Sequence, residues 1–194
     1  MTTCPRGLAY VSFALSLALA GVSVGTSVGC NKQSAAPQAS DQTAIDEPIL
    51  AYLSLARSLH HEADLAEDAG DVKGAIATLQ RLFEKPPPRT APEVDEIVAD
   101  TRARLGDLES RLDDFDSASR DVESGLVSAP SISYFRGHLL EVRGLIEERR
   151  EKALAAKGDV DGASKAREAA MKAFEDAISV QREVINRAGQ RGGQ

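Results

Sequence analysis

The hexapeptide Gly70-Asp71-Val72-Lys73-Gly74-Ala75 recurs as Gly158-Asp159-Val160-Asp161-Gly162-Ala163, and a worn copy, Asp113-Asp114-Phe115-Asp116-Ser117-Ala118, stands between them. The copies are offset by 43 and 45 residues. Two helices and their turns fit that period, so the chain is built from recurring helical units rather than around one unique catalytic centre. Each copy reads as a turn between helices. Gly70 and Gly158 can take the left-handed conformation that ends a helix. Asp71, Asp114 and Asp159 then stand where a carboxylate satisfies the free N–H groups that open the next one. So short a turn sets the two helices antiparallel. The small Ala75, Ala118 and Ala163 let the second helix lie close against the first.

Helical periodicity runs through Val72, Ala75, Ile76, Leu79, Leu82 and Phe83, and again through Val94, Ile97, Val98, Thr101, Leu105, Leu108 and Leu112. A third stripe is Tyr134, Phe135, Leu139, Val142, Leu145 and Ile146, and a fourth is Ala170, Phe174, Ala177, Ile178, Gln181, Val184 and Ile185. No segment alternates as a strand requires. Prolines at 86–88 and 130 fall where one helical pair should stop and the next begin. Thr90 and Glu93 have the spacing of a capping box for the restart. Six helices in three hairpins are expected over 46–189, with 190–194 a disordered tail.

Leu105, Gly106, Ala118, Val122, Gly125 and Pro130 fall at the spacing of the tetratricopeptide-repeat signature, and over that stretch the chain resembles this family. In the first unit Ala75, Leu79, Leu82 and Pro87 match the second half of the signature. The third unit offers two registers, through Ala163 or through Ala170, Phe174 and Ala177. The resemblance implies an all-α fold of three antiparallel helical hairpins, stacked as a short tetratricopeptide-like solenoid. HEAT-like pairs or a plain helical bundle also suit the period. In tetratricopeptide arrays the first helices line a concave groove. Carried onto this sequence, that geometry makes Arg57, His60, Asp64, Glu67 and Asp68 partner-binding in unit one, Asp100, Asp107 and Arg111 in unit two, and Tyr134 and Glu141 in unit three. The acidic bias of the first set suits a basic segment of a protein partner.

The start of the chain is a separate matter. After Arg6, the stretch from Leu8 to Val24 has no charged residue and is shorter than the roughly 20 residues that comfortably span a bilayer, so it reads as an export signal. It ends in Ser27-Val28-Gly29-Cys30, which resembles the lipobox of bacterial lipoproteins. That resemblance implies removal of 1–29 and acylation of Cys30. The only other cysteine, Cys4, would leave with the signal, so Cys30 has no disulfide partner in the mature chain. Asn31 after it implies, by the same resemblance, the periplasmic side of the outer membrane. Cleavage after Ala18-Leu19-Ala20 would instead release a soluble periplasmic or secreted protein. Residues 30–45 are small and polar and read as a flexible linker.

Charge and motif content narrow the function. The formal net charge is -7 and there is no Trp, which opposes nucleic-acid binding through phosphates or base stacking. No phosphate-binding loop, zinc-protease motif or nucleophile elbow occurs in the sequence. His60 and His61 are adjacent and diverge by about 100° on a helix, so they cannot share one metal. No metal or other cofactor is expected. The sequence points to a noncatalytic, membrane-anchored scaffold or adaptor. The alternative is an exported structural bundle without a peptide groove, homo-oligomeric through its long third hairpin.

Overall fold

The computed structural model describes residues 46–88 and 91–192, within one compact unit, Ala44–Gln194. The expected signal at 1–29, Cys30, the linker at 30–45 and Thr90 lie outside the described residues. Six helices follow in order: α1 (Glu47–Asp68), α2 (Val72–Gln80) ending in a 3-10 turn (Arg81–Phe83), α3 (Pro92–Arg111), α4 (Phe115–Ser128), α5 (Tyr134–Ala156) and α6 (Val160–Gly192). The described residues are all-α, without a strand.

The hexapeptide copies form the three turns α1–α2, α3–α4 and α5–α6. Gly70 and Gly158 adopt φ of +79° and +80°. Asp113, which occupies the same place in the worn copy, adopts φ 63° without being glycine. Each following aspartate caps its helix by accepting a backbone N–H: Gly74 to Asp71 at 2.8 Å, Ser117 to Asp114 at 3.1 Å and Gly162 to Asp159 at 2.9 Å. The carboxylate folds back so closely that a Cβ at Gly74 or Gly162 would lie 2.2 or 2.3 Å from it. Ala75, Ala118 and Ala163 are all buried.

Helices joined by these turns pack against each other. The first helix of each later pair also packs against both helices of the pair before it: α3 against α1 and α2, and α5 against α3 and α4. Val72, Ile76 and Phe83 thereby pack on the cluster that Leu105 and Leu108 enter, while Phe115 and Leu126 pack on the one that Leu139, Val142 and Ile146 enter. Among the described elements, α6 packs against α5 alone.

Three expectations change. The capping position before α3 is Ala91, with Pro92 opening the helix, one residue past the place expected for the cap. Helix α6 runs to Gly192, past the expected limit at 189. Its buried face is also rotated from the expected stripe. Ala163, Ala166, Ala170, Ala173 and Ala177, spaced alternately by three and four, form the seam on α5, while Ile178 and Ile185 face solvent. A seam of small residues lets two helices run close together along a seven-residue repeat. Opposite it, the space at Gly137 and Gly144 is filled by Gln181 and Phe174, so steps of seven down α5 meet steps of seven up α6. Ala170 and Ala177 of the expected stripe lie in this seam and Phe174, Gln181 and Val184 are half-buried, so the change falls on Ile178 and Ile185.

Candidate interaction surface

The first helices of the three pairs carry a ladder of charge. Arg104 on α3 reaches back to α1 and donates to Asp64 at 2.6 Å and Glu67 at 2.5 Å. Arg111, about two turns further along the same face, donates to Glu67 at 2.8 Å. On α5, Arg149 reaches back to α3 and donates to Asp107 at 2.8 Å and to the Ser110 hydroxyl at 2.6 Å. These joints are one device used twice. Asp64 and Asp107 are separated by the first repeat step, as are Glu67 and Ser110, and Arg104 and Arg149 by the second.

His60 is built into the same joint. Thr101 gives its hydroxyl proton to the Ile97 carbonyl at 2.8 Å, so it accepts from His60 Nε2 at 2.8 Å. That leaves Nδ1 to face Arg104 Nη1 at 3.5 Å. Burial lowers the His60 pKa and the Arg104 charge adds to the effect, with Asp100 and Asp64 opposing. The ring is thus held neutral. Burial would raise the Glu67 carboxyl, but hydrogen bonds from Arg104 and Arg111 outweigh it and leave the pKa below its ordinary value. Arg104 is likewise pushed up by Glu67 and Asp64 against the effect of burial.

Of the ten partner-binding candidates, the structure brings His60, Asp64, Glu67, Asp107 and Arg111 into this network, and Asp100 close enough to act on His60. Arg57 and Asp68 are exposed. Tyr134 and Glu141 sit apart, at the start of α5. There Tyr134 stacks on His138 with ring centroids 6.0 Å apart, and Glu141 lies 3.7 Å from the same imidazole. The acidic patch of unit one is therefore answered from within the chain: Asp64 and Glu67 hold α3 in place instead of standing open to a basic segment. Sequence reading missed Arg104 and Arg149 because it compared only the turn peptides. Applying the same two steps to the charged residues of the first helices would have found them.

A second buried polar group was also missed. Glu109 on α3 is 5% exposed and lies against Asp121 on α4, which is itself bonded to Arg102. Burial, then the Asp121 charge, pushes the Glu109 carboxyl up to about 8, with Asp114 adding and Arg120 opposing. Glu109 Oε2 has no partner among fixed donors. A proton on that oxygen, shared toward Asp121, satisfies it.

Among the described residues, no three or more His, Cys, Asp or Glu side chains are grouped to hold a metal ion, and no helix is long and apolar enough to cross a membrane. No protein-family profile matches the chain, and neither the characterised proteins nor the solved structures compared with it gave a match.

Proposed function

We propose that this chain is a noncatalytic scaffold or adaptor that binds protein partners on the surface of three stacked helical pairs of the tetratricopeptide-like kind. A lipid on Cys30 holds it to the periplasmic side of the outer membrane. The carrying observation is the repeated joint: Arg104 on Asp64 and Arg149 on Asp107 set one pair on the next by equivalent residues. Units that dock by one recurring contact build an extended surface rather than a converging catalytic centre. Gly106, whose absent side chain admits Val122 and the Ala118 carbonyl, supports the tetratricopeptide-like register, because these three residues carry the resemblance. The anchor rests on the sequence around Cys30. Since the ladder acids are already paired, the exposed acids among the ten candidates that a basic partner segment could reach are Asp68 and Glu141, the latter beside His138.

Purification of the intact protein from its own envelope tests both parts. Mass spectrometry should find diacylglycerol on Cys30 at the N-terminus. An N-terminus at Gly21, or an unmodified Cys30, contradicts the anchor. Partners that co-purify should be lost on Asp68→Lys with Glu141→Lys at unchanged helicity. The same partners in the same amounts would move the working surface off the first helices.

A further inference from the structure

The last helical pair carries an unfilled copy of the joint. Helices α2 and α4 join the next first helix in clusters that hold Val72, Ile76 and Phe83 on α2 and Phe115 and Leu126 on α4, where Ser119 also accepts from Arg150. One repeat step further, α6 presents Val160, Ser164 and Met171 at those places, and no described helix packs on α6 besides α5. Val160 and Met171 are 75% and 58% exposed, and the stripe continues through Ile178 and Ile185 at 47% and 69%. It runs about 37 Å, at 1.5 Å per residue. A single exposed apolar residue means little, whereas a row of four on one helix face, at the place where α2 and α4 meet the next helix, marks a place for another element.

The charge at that face is reversed. Where α1 and α3 offer Asp64 and Asp107 to an incoming arginine, α5 offers Lys152, one repeat step on. Its bond to Glu148, at 2.6 Å, is an exposed pair on the same helix, with the Lys152 side chain 67% exposed, and such a pair holds weakly. Arg111 and Arg149 stand with Lys152 around an open groove of about 580 Å³. An incoming helix with arginine in the internal position would be repelled. A second copy of this chain, stacked end to end, would bring His61 to that position, with no carboxylate to meet Lys152.

We propose that the outer face of α5 and α6 docks one amphipathic helix of a partner protein. Its apolar side lies on Val160, Met171, Ile178 and Ile185, and it carries a carboxylate toward Lys152 where the internal helices carry Arg104 and Arg149. This assignment rests on the scaffold reading and names the partner chemistry for one of its surfaces.

The probe is a synthetic peptide of residues 134–156, the chain's own α5, compared with the same peptide carrying Arg149→Glu. Both are titrated by fluorescence anisotropy against the full chain. The ordering of the free peptide weakens both alike, so the ratio reads the charge contact. The glutamate peptide should bind about fivefold tighter than the unchanged one, and Lys152→Glu in the protein should invert that order. Met171→Asp with Ile178→Asp, at unchanged thermal midpoint, should weaken both at least about tenfold. Equal binding of the two peptides, or binding indifferent to the α6 changes, overturns the proposal. So does a concentration-dependent dimer of the full chain that Met171→Asp with Ile178→Asp abolishes, which would make the occupant a second copy. If the peptides fail while native partners are still captured, this docking face falls and the scaffold reading stands.

Discussion

The middle helical pair, α3 and α4, and the last, α5 and α6, share a turn and a register but close on each other by different physics. In the middle pair Gly106 lets the helices touch: a Cβ there would lie 2.8 Å from Val122 Cγ2 and 3.2 Å from the Ala118 carbonyl oxygen. In the last pair the places of Gly106 and Val122 hold Glu151 and Arg167, joined at 2.7 Å. Closure there comes from the alanine seam instead. The first pair has Ala63 and Leu79 at these places, both buried. An apolar lock near the turn therefore accompanies the two pairs on which a later helix packs. Where the stack ends, an ion pair in contact with water suffices.

The largest effect should come from the lock itself. Gly106→Leu should destabilise the protein by about 3 kcal/mol in denaturant unfolding, since the new side chain meets backbone that cannot yield. Gly137→Ala in the last pair should change stability by less than about 0.5 kcal/mol. Its Cβ would meet no backbone: the atoms in its way all belong to Gln181, the nearest being Cγ at 2.9 Å, and the rotation this demands is offset by alanine's preference for a helix interior. Equal responses at the two glycines would erase the contrast.

The buried carboxyl pair sharpens the same comparison, because the last pair carries Leu154 and Ala166 where the middle pair has Glu109 and Asp121. Glu109 is held protonated in the fold, with its pKa raised from 4.5 to about 8. The stability it contributes is fully present below pH 4.5 and declines as pH rises through 8. Glu109→Gln should remove that decline, leaving the variant more stable than the parent by on the order of 2 kcal/mol at pH 8 and close to it at pH 4. Parallel stability curves for the two proteins would show that Glu109 is not protonated in the fold.

The smallest effect belongs to the turns. Asp113 holds a left-handed conformation that its two counterparts leave to glycine. Asp113→Gly should raise stability by about 0.5 kcal/mol, and Gly158→Ala should lower it by about 1 kcal/mol. Thermal midpoints moving in opposite directions confirm that the three turns are equivalent; a loss for Asp113→Gly contradicts it.

The turns were the most legible part of the chain. A glycine or aspartate before a capping aspartate has local causes, so Gly70, Asp71, Asp114, Gly158 and Asp159 could be placed from sequence alone. The all-helical class and the buried alanines after each turn followed from the same logic. The buried face of α6 was legible in part: Ala170, Phe174, Ala177, Gln181 and Val184 of the expected stripe are buried or half-buried, whereas Ile178 and Ile185 face solvent because Ala163, Ala166 and Ala173 complete the seam on α5. The charged candidates misled for a related reason. Asp64 and Glu67 look like an open acidic patch until Arg104, about 40 residues away, is known to lie on them, and local patterning carries no trace of that distance.

Coupling energies at the two joints, obtained by double-mutant cycles for Asp64 with Arg104 and Asp107 with Arg149, test most directly whether one device is used twice. Pairs of this kind, with the arginine largely covered and the carboxylate reaching water, should each couple by about 0.5 to 1 kcal/mol, with the two values agreeing within about 0.5 kcal/mol. Coupling at one joint and none at the other would show that the repeat steps match residues without matching roles.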